Sequence, residues 1–363
     1  MKNKLTLKSV ETNFVSLPLK RPIISKVGIF NHWPVILINL KTKEGIVGHS
    51  YLEPYLEKAV NYIIPAVHDL AEFRLNKNLA PMDDYIIDRK RLSLVGLSGI
   101  SMIAVAGLDM AAWDALSKAS EMPLVRFLGG TNGEVSSYNS NGLWLSDINT
   151  LQSEAKALVK EGNFNALKLR LGREKVEEDI KAINLIRDAV GKDINLMVDF
   201  NQGRTFGEAL ERCHALDDFG LYWFEEPIIY DNFRGYADLK RQLKTPLQIG
   251  ENFYGPRDVH NIIECNGCDY IMPDMMRIGG VTGWLRSTPI ASAAGIQVSS
   301  HLYPEVSAHL MRITETAHWL EWQDWVNPIL EEPFKIKNGK IEIPERDGIG
   351  ISWNKKALKK YKI

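Results

Sequence analysis

The chain has 363 residues, and its 44 lysines and arginines nearly balance its 45 aspartates and glutamates. This balance excludes the basic surface that binding to nucleic acid or to an anionic membrane requires. With 45% apolar and 25% charged residues, the composition indicates a globular protein of about two domains and excludes a disordered chain. Three cysteines are too few for a disulfide framework. Residues 1–10 lack the apolar core of a secretory signal, and the apolar stretch 100–113 is too short to span a bilayer, so we expect a soluble cytoplasmic protein.

The first 130 residues predict a small α+β unit. Strand-like residues at 35–40 and 46–48 flank a turn at 41–45. A helical pattern follows from about residue 57 to residue 119, and it is clearest in the alanine-rich part from Met102 onward. The glycines at 129, 130 and 133 mark a break, so we place the end of this unit at residue 130.

Residues 131–325 predict alternating strands and helices. Helical stretches occupy 151–161, 174–190, 207–219, 233–243 and 283–294. The short apolar runs between and around them are 135–139, 166–170, 195–200, 221–226, 246–251, 270–274, 296–301 and 318–321. Eight strands in about 190 residues favour an α/β protein with a (β/α)8 TIM-type barrel. A doubly wound sheet gives the same alternation, and the residues at the strand ends favour the barrel.

Nearly every run ends in a polar or ionisable residue. From Asp199 onward, the spacings between these residues are 26, 26, 23, 27 and 20, which is about the length of one β/α unit. In a barrel of parallel strands, such residues form a ring around one mouth. The ring predicted here consists of Lys168, Arg170, Asp199, Glu225, Glu251, Asp274, His301 and Glu321.

Three consecutive strand ends supply the carboxylates of Asp199, Glu225 and Glu251. Converging carboxylates repel one another in a half-buried site, and a hard divalent cation removes that cost. Oxygen ligands with open coordination positions suit Mg²⁺, whereas zinc prefers cysteine and histidine. We therefore expect a magnesium site that a substrate carboxylate completes. The alternative is a set of carboxylates balanced by nearby cations.

The remaining strand-end residues predict acid–base chemistry. Lys168 and Arg170 are two residues apart on one strand, so both face the same side. Asp274 and His301 end neighbouring strands, and an aspartate beside a histidine is the arrangement of a general base. Glu321 lies between Trp319 and Trp322, a setting that would raise its pKa and make it an acid.

Two assignments among the glutamates carry alternatives. Glu321 could instead pair with one of the cations. Glu225 is preferred to Glu226 as the metal ligand because it lies 26 residues after Asp199 and 26 before Glu251. Glu226 is then expected to face outward or to contact a ligand residue without binding the metal itself.

These motifs resemble the enolase superfamily, in the mandelate racemase / muconate lactonizing enzyme family and nearest to its mandelate racemase group. The resemblance covers essentially the whole chain. It rests on the segments 48–52, 107–116, 197–202, 225–227, 250–252, 272–274, 278–284, 299–301 and 317–321. It implies a capping domain, formed by 1–130 and the returning segment 326–363, over the mouth of the barrel formed by 131–325.

The resemblance also implies roles for individual residues. Mg²⁺ would be held by Asp199, Glu225 and Glu251. His301, oriented by Asp274, would be a base, Lys168 would lie beside the substrate carboxylate, and Glu321 would be the acid opposite it. The residues expected to contact substrate are Ser140, Asn201, Tyr55 and, in a flexible loop over 22–28, Ile23 and Val27. A homo-oligomer is expected as well.

One departure from the family pattern affects the predicted reaction. The Lys-x-Lys motif appears here as Lys168-Leu169-Arg170, and arginine rarely accepts a proton. A base remains on one face only, whereas a racemase needs one on each. The pocket candidates Arg21, Lys26, His32 and Glu53 are also more polar than an aryl substrate needs.

The predicted function is Mg²⁺-dependent abstraction of the α-proton of a small 2-hydroxycarboxylate. Dehydration of a sugar acid to a 2-keto-3-deoxy acid, in carbohydrate acid catabolism, is the first expectation. A racemase or epimerase of a 2-hydroxy acid is the second, and a cycloisomerase is a further enzymatic alternative. A non-catalytic metal-binding protein is the alternative from another class.

Overall fold

Two β-sheets organise the chain in the computed structural model, which describes residues 4–363. The first sheet is antiparallel, in the order β1 (Leu7–Ile24), β2 (Ile29–Thr42) and β3 (Val47–Leu52). The turn predicted at 41–45 joins β2 to β3, and Gly45 has the positive φ of 90° that favours glycine there. Long β1 and β2 form a hairpin whose tip lies at residues 25–28.

Helices α1 (Val60–Glu72) and α3 (Ile100–Ala119) pack against this sheet, and α2 (Pro81–Arg91) packs against α3. Helix α3 lies close to the sheet because Gly107 leaves room; a Cβ atom there would lie 2.5 Å from Cδ1 of Ile38. By length and composition α3 could cross a membrane, but 78% of its most apolar window is buried within the fold. We call the three strands and these helices the cap.

The second sheet contains the predicted barrel. Its parallel strands are β4 (Glu134–Asn139), β5 (Ala166–Arg170), β6 (Asn195–Asp199), β7 (Phe224–Glu225), β8 (Leu247–Ile249), β9 (Tyr270–Ile271), β10 (Gln297–Val298) and β11 (Leu320–Trp322). Strand β11 pairs with β4, and a bridge from Val298 to Ala317 joins β10 to the segment before β11. The eight strands therefore close into a barrel, which confirms the predicted fold class.

Helices accompany the barrel strands as the sequence pattern predicted, with further short ones. They are α4 (Leu124–Phe127), α5 (Leu151–Lys160), α6 (Val176–Val190), α7 (Phe206–Leu216), α8 (Phe233–Lys240), α9 (Pro256–Glu264), α10 (Met275–Ile278), α11 (Gly280–Ala293) and α12 (Pro304–Met311). Several strands are shorter than the apolar runs that predicted them. After β6 and β7 the backbone turns into the left-handed region, at Asn201 with a φ of 45° and at Glu226 with a φ of 37°.

Segment 326–363 contacts both the barrel and the cap. It first forms a hairpin of β12 (Lys335–Lys337) and β13 (Lys340–Glu342), and β13 pairs antiparallel with β4. It then returns to the cap, where Nε1 of Trp353 donates to Oδ1 of Asn39 at 2.9 Å and α13 (Lys355–Tyr361) precedes a bridge between Lys362 and Val15.

Hydrogen bonds hold the cap over the carboxyl ends of the barrel strands. Ile24 at the end of β1 accepts from the Leu145 N–H group at 2.8 Å. Beyond β3, the N–H group of Glu53 donates to the hydroxyl of Tyr303 at 2.9 Å. The tip of the β1–β2 hairpin and the end of β3 are thus fixed beside the loops that carry the strand-end residues.

Candidate active site

The three predicted carboxylates converge at the mouth of the barrel. Asp199 and Glu225 are the last residues of β6 and β7 and are direct partners in the parallel register, and Glu251 lies two residues beyond β8. One ligand oxygen from each lies within 4.8 Å of the others. Asp199 and Glu225 are at most 1% exposed. The regular spacing of these three residues along the chain therefore predicted their clustering in space.

This cluster fits a divalent cation. Burial raises the pKa of Glu225 to about 8, even though the Lys168 ammonium lowers it, and the charges of Asp199 and Glu251 add to the rise. A bound cation would offset this repulsion. Three carboxylates with room for further oxygen ligands match magnesium better than zinc.

Neighbouring residues orient the carboxylates. The backbone N–H and the side-chain amide of Asn201 donate to the two oxygens of Asp199 at 2.7 and 2.9 Å, and the expected contact of Asn201 with substrate stays a prediction. Glu226 does not face outward: it is fully buried and accepts from the Gly250 N–H group at 3.2 Å and from Asn252 at 2.8 Å. Of the two positions expected for Glu226, the structure therefore has the second: the turn after β7 directs the side chain toward the loop after β8, where Asn252 also donates to Glu251 at 3.2 Å.

Lys168 lies at the centre of the charged ring. Its Nζ atom is 2.6 Å from Oε1 of Glu225, 2.7 Å from Oε1 of Glu321 and 3.6 Å from Oδ2 of Asp199. Burial lowers the pKa of Lys168, but the carboxylates of Glu225 and Glu321 outweigh burial and raise it. The lysine is therefore a fixed cation beside the proposed metal site.

Glu321 differs from its prediction. Burial tends to raise its pKa, but Lys168, His301 and Arg170 hold it well below the ordinary value. Its second oxygen accepts from the Leu302 N–H group at 3.0 Å. The expected rise in the pKa of Glu321 was wrong, because the cations across the barrel mouth outweigh the flanking tryptophans. Its role as an acid stays a prediction. The alternative, a carboxylate paired with a cation, describes its contacts.

Arg170 is fixed on the same side of the site. Its Nη2 donates to Oγ of Ser140 at 2.8 Å, and its guanidinium carbon lies 3.8 Å from the centre of the Trp144 ring. Its Nε lies 3.7 Å from Oδ2 of Asp199. Ser140 in turn donates to Glu321 at 2.7 Å. Ser140 and Arg170 thus form one buried polar group at the ends of β4 and β5.

His301 and Asp274 form the predicted pair. The two residues are parallel bridge partners, and Nδ1 of His301 lies 2.7 Å from Oδ2 of Asp274. The other ring nitrogen, Nε2, lies 3.3 Å from Oε2 of Glu251 and therefore faces the carboxylate cluster. Burial lowers the pKa of His301, but Glu251 and Glu321 outweigh it and raise the value to about 9. Around the closed barrel, β10, which precedes His301, is three strands away from β5, which carries Arg170.

Two residues predicted to contact substrate lie at or near the tip of the β1–β2 hairpin. Ile23 is 5% exposed, whereas Val27 is 70% exposed, and contact of either with substrate stays a prediction. Val27 lies at the outermost point of the tip, in the turn between Ser25 and Gly28. The Lys26 side chain lies against Gly203, in the loop after β6.

An aromatic roof lies between the cap and the barrel. Trp33 of β2 contacts Tyr55 with ring centres 5.0 Å apart and Trp325 at 4.4 Å, and Trp325 contacts Trp144 at 6.3 Å. The far end of this series is the guanidinium of Arg170. Tyr55 was predicted, whereas the three tryptophans were not. Trp144 and Trp325 follow the ends of β4 and β11 within a few residues, which is the signal that could have found them.

Comparisons with known proteins agree with this geometry. Residues 9–129 match the family described as "Mandelate racemase / muconate lactonizing enzyme, N-terminal domain", and residues 150–357 match "Enolase C-terminal domain-like". The chain is 28% identical over 361 residues to an L-talarate/galactarate dehydratase of Salmonella typhimurium, covering 96% of this chain and 89% of that one. Other curated relatives are named as dehydratases, racemases and epimerases.

The solved structures that resemble this chain include two with bound magnesium. An enolase from alpha proteobacterium BAL199 with bound magnesium has 49% identity and a TM-score of 0.97, covering 99% of this chain and all of that one. An enolase from Bradyrhizobium, complexed with magnesium and mandelic acid, has 36% identity and a TM-score of 0.95 over the full length of both chains.

Proposed function

Since the chain belongs to the mandelate racemase / muconate lactonizing enzyme family of the enolase superfamily, we propose that it is a Mg²⁺-dependent dehydratase of a sugar acid. The reaction would begin with removal of the α-proton of a 2-hydroxycarboxylate and would end with loss of the β-hydroxyl as water. Membership of the family supports an enzyme with Mg²⁺ as its cofactor.

We place the cofactor on Asp199, Glu225 and Glu251, because these three oxygen donors cluster within 4.8 Å and are only partly balanced by Lys168. Bound there, Mg²⁺ would supply Lewis-acid stabilisation of the negative charge that develops on the substrate carboxylate. Asn201 keeps Asp199 in position, and Glu226 keeps the loop after β8 in position.

His301 is the proposed base. Its Nδ1 atom is held by Asp274, and its Nε2 atom faces the cluster, where the α-carbon of a bound carboxylate would lie. A cation held by Glu251 would offset the charge that raises the pKa of His301, and the neutral ring could then accept the α-proton at Nε2. Lys168 and Arg170 would stabilise the resulting enediolate from the other side, because both are fixed cations.

Arg170 stands at the second lysine position of the Lys-x-Lys motif, and this observation favours dehydration over racemisation. The Arg170 guanidinium donates to Ser140 and stacks on Trp144, and guanidinium groups keep their protons in proteins. Only the His301 face therefore has a base. After taking the α-proton, the imidazolium of His301 can return a proton to the β-hydroxyl, which leaves as water. The enol that remains tautomerises to a 2-keto-3-deoxy acid.

A racemase of an aryl 2-hydroxy acid is the second candidate. The aromatic roof of Tyr55, Trp33, Trp325 and Trp144 favours it, and so does the mandelic acid bound to the Bradyrhizobium relative. This reaction would require a second proton carrier on the Arg170 side. The absence of a lysine at that position counts against it.

A screen of sugar acids with purified protein and Mg²⁺ tests the proposal. Semicarbazide detects a 2-keto product, and NMR in deuterated water detects exchange at C2. We expect keto acid formation that requires Mg²⁺ and is lost in His301→Asn. Exchange without keto acid would favour the racemase, and neither signal with any acid would favour the non-catalytic metal-binding protein. A homo-oligomer stays a prediction that sedimentation would check.

A further inference from the structure

A buried carboxyl group of the cap lies on the His301 side of the proposed site. Glu53 directly follows β3 and is 3% exposed. Its backbone N–H donates to the hydroxyl of Tyr303, two residues beyond His301, and the charges of Asp274 and His301 both act on its carboxyl group. The cap therefore contributes one acidic side chain close to the proposed base.

The two oxygens of Glu53 have different surroundings. Oε1 accepts a hydrogen bond from Nε1 of Trp33 at 2.9 Å. Oε2 is buried and has no hydrogen-bond partner among residues 4–363. A buried polar atom without a partner is costly and uncommon in folded proteins. A ligand group would supply the missing partner, because this carboxyl group is close enough to His301, the proposed base, for their charges to interact.

The protonation state of Glu53 determines which ligand group would fit. Burial raises the pKa of Glu53 to about 8, and the charges of Asp274 and Glu305 add to the rise. The carboxyl group is therefore mostly protonated at pH 7. Because Oε1 already accepts from Trp33, the proton belongs on Oε2, which makes this atom a donor without an acceptor.

We propose that Oε2 of Glu53 donates a hydrogen bond to a hydroxyl oxygen of the substrate, at C3 or beyond, on the His301 face. Glu53 is then the residue that selects polyhydroxylated acids over 2-hydroxy acids with an apolar tail. The aromatic roof alone would accept an aryl group, but an apolar tail beside Oε2 would leave that donor unpaired. This inference rests on the proposed function and defines its substrate class.

The size of the expected effect follows from the cost of an unpaired donor. A site built to bind a substrate hydroxyl discriminates strongly against an analogue without it. For one neutral hydrogen bond we expect a factor of about 10 to 100 in kcat/KM. The measured quantity is the ratio of kcat/KM for a polyhydroxylated acid to that for a 2-hydroxy acid with an apolar tail.

Two variants test the proposal in the full-length protein with Mg²⁺. Glu53→Met keeps an unbranched side chain of similar length but has no donor, so the ratio should fall by about 10- to 100-fold. Glu53→Gln keeps a donor at the position of Oε2, so the ratio should stay within a few-fold of the natural protein. Glu305→Gln is the matched control, because Glu305 is a buried carboxyl that contacts the cap through Tyr51 instead.

A pH series gives a second measurement that does not need the apolar variant to fold. The ratio should change above about pH 8 in the natural protein, because Oε2 of Glu53 then turns from a donor into a charged acceptor, and it should not change in this way in Glu53→Gln. The other titratable groups acting on Glu53 are Asp274, His301, Glu305, Tyr51, Tyr55 and Tyr303. These groups act in the same way on both substrates, so their titration largely cancels in the ratio of the two kcat/KM values.

The outcomes separate this inference from the proposed function. If the natural protein is active but the ratio is the same in Glu53→Met and has no pH dependence that Glu53→Gln removes, the inference is overturned. An unfolded Glu53→Met leaves the pH series to decide. If the natural protein shows no Mg²⁺-dependent exchange at C2 with any acid, the proposed function itself fails.

Discussion

The interior of the barrel changes character along its axis. The carboxyl end holds a ring of buried charges, whereas the interior toward the amino ends holds a buried cluster of Tyr138, Trp223 and Trp319 with smaller apolar residues. Each region contains one histidine, and the two pKa values are shifted in opposite directions. The pKa is raised to about 9 in His301 and lowered to about 4 in His318. Burial lowers the pKa of both rings. Carboxylates reverse this effect only at His301, so the neighbouring charges decide the shift.

The largest expected effect would follow from removing the histidine at the charged end. His301→Asn should lower the rate of α-proton exchange by about 10³-fold or more, because the proposed base is lost. NMR in deuterated water measures this rate. His318→Asn is the matched control and should change it only a few-fold, since His318 contacts Tyr222 rather than the site. An equal loss of exchange rate in both variants would contradict the assignment of the base to the charged end.

Within the charged end, Glu225 and Glu226 should differ in their effect on metal binding. Glu225→Gln should weaken Mg²⁺ binding by about 100-fold or more, because the amide loses the charge that binds the cation. Glu226→Gln should weaken it by only about 10-fold, as expected for a residue that orients a loop. Calorimetric titration with Mg²⁺ measures both. The reverse order would mean that Glu226 is the ligand.

The two faces of the charged end should differ in stereochemistry. The natural protein should exchange the α-hydrogen of one C2 configuration only, because Arg170 supplies no base. In Arg170→Lys, exchange of the other configuration should rise by roughly tenfold or more, since lysine can carry a proton. Arg170→Met is the control and should show no such gain. Equal exchange of both configurations by the natural protein would instead support the racemase.

The smallest effect concerns stability at the aromatic end. The folded pKa of His318 is about 4 and the unfolded value is about 6.5, so protons bind the unfolded chain first as the pH falls through this window. The free energy of unfolding should therefore drop between pH 7 and pH 5, with roughly 1 to 2 kcal/mol from this ring after allowance for its partial exposure.

His318→Gln should reduce that drop by the same amount. Chemical denaturation at the two pH values measures the free energy of unfolding. His68→Gln is the control, since His68 lies in an exposed contact with Thr12. A drop of unchanged size in His318→Gln would show that His318 is not neutral in the folded protein.

The spacing of residues along the chain was enough to predict the barrel and the convergence of its strand-end residues. In parallel strands of one barrel, a residue type repeated once per β/α unit must recur at the same mouth, so a linear spacing becomes a spatial ring. This reasoning placed Asp199, Glu225 and Glu251 together. It also paired Asp274 with His301, because both end neighbouring strands.

The protonation states and the shape of the roof depend on contacts that form only in the folded chain. The pKa of Glu321 depends on Lys168, His301 and Arg170, which come from other strands, so its flanking tryptophans gave the wrong sign. The roof joins side chains from β2, the cap and two barrel loops. Electrostatic shifts and packing are sums over neighbours in space, and the strand spacing brings residues to one mouth without giving the distances between them.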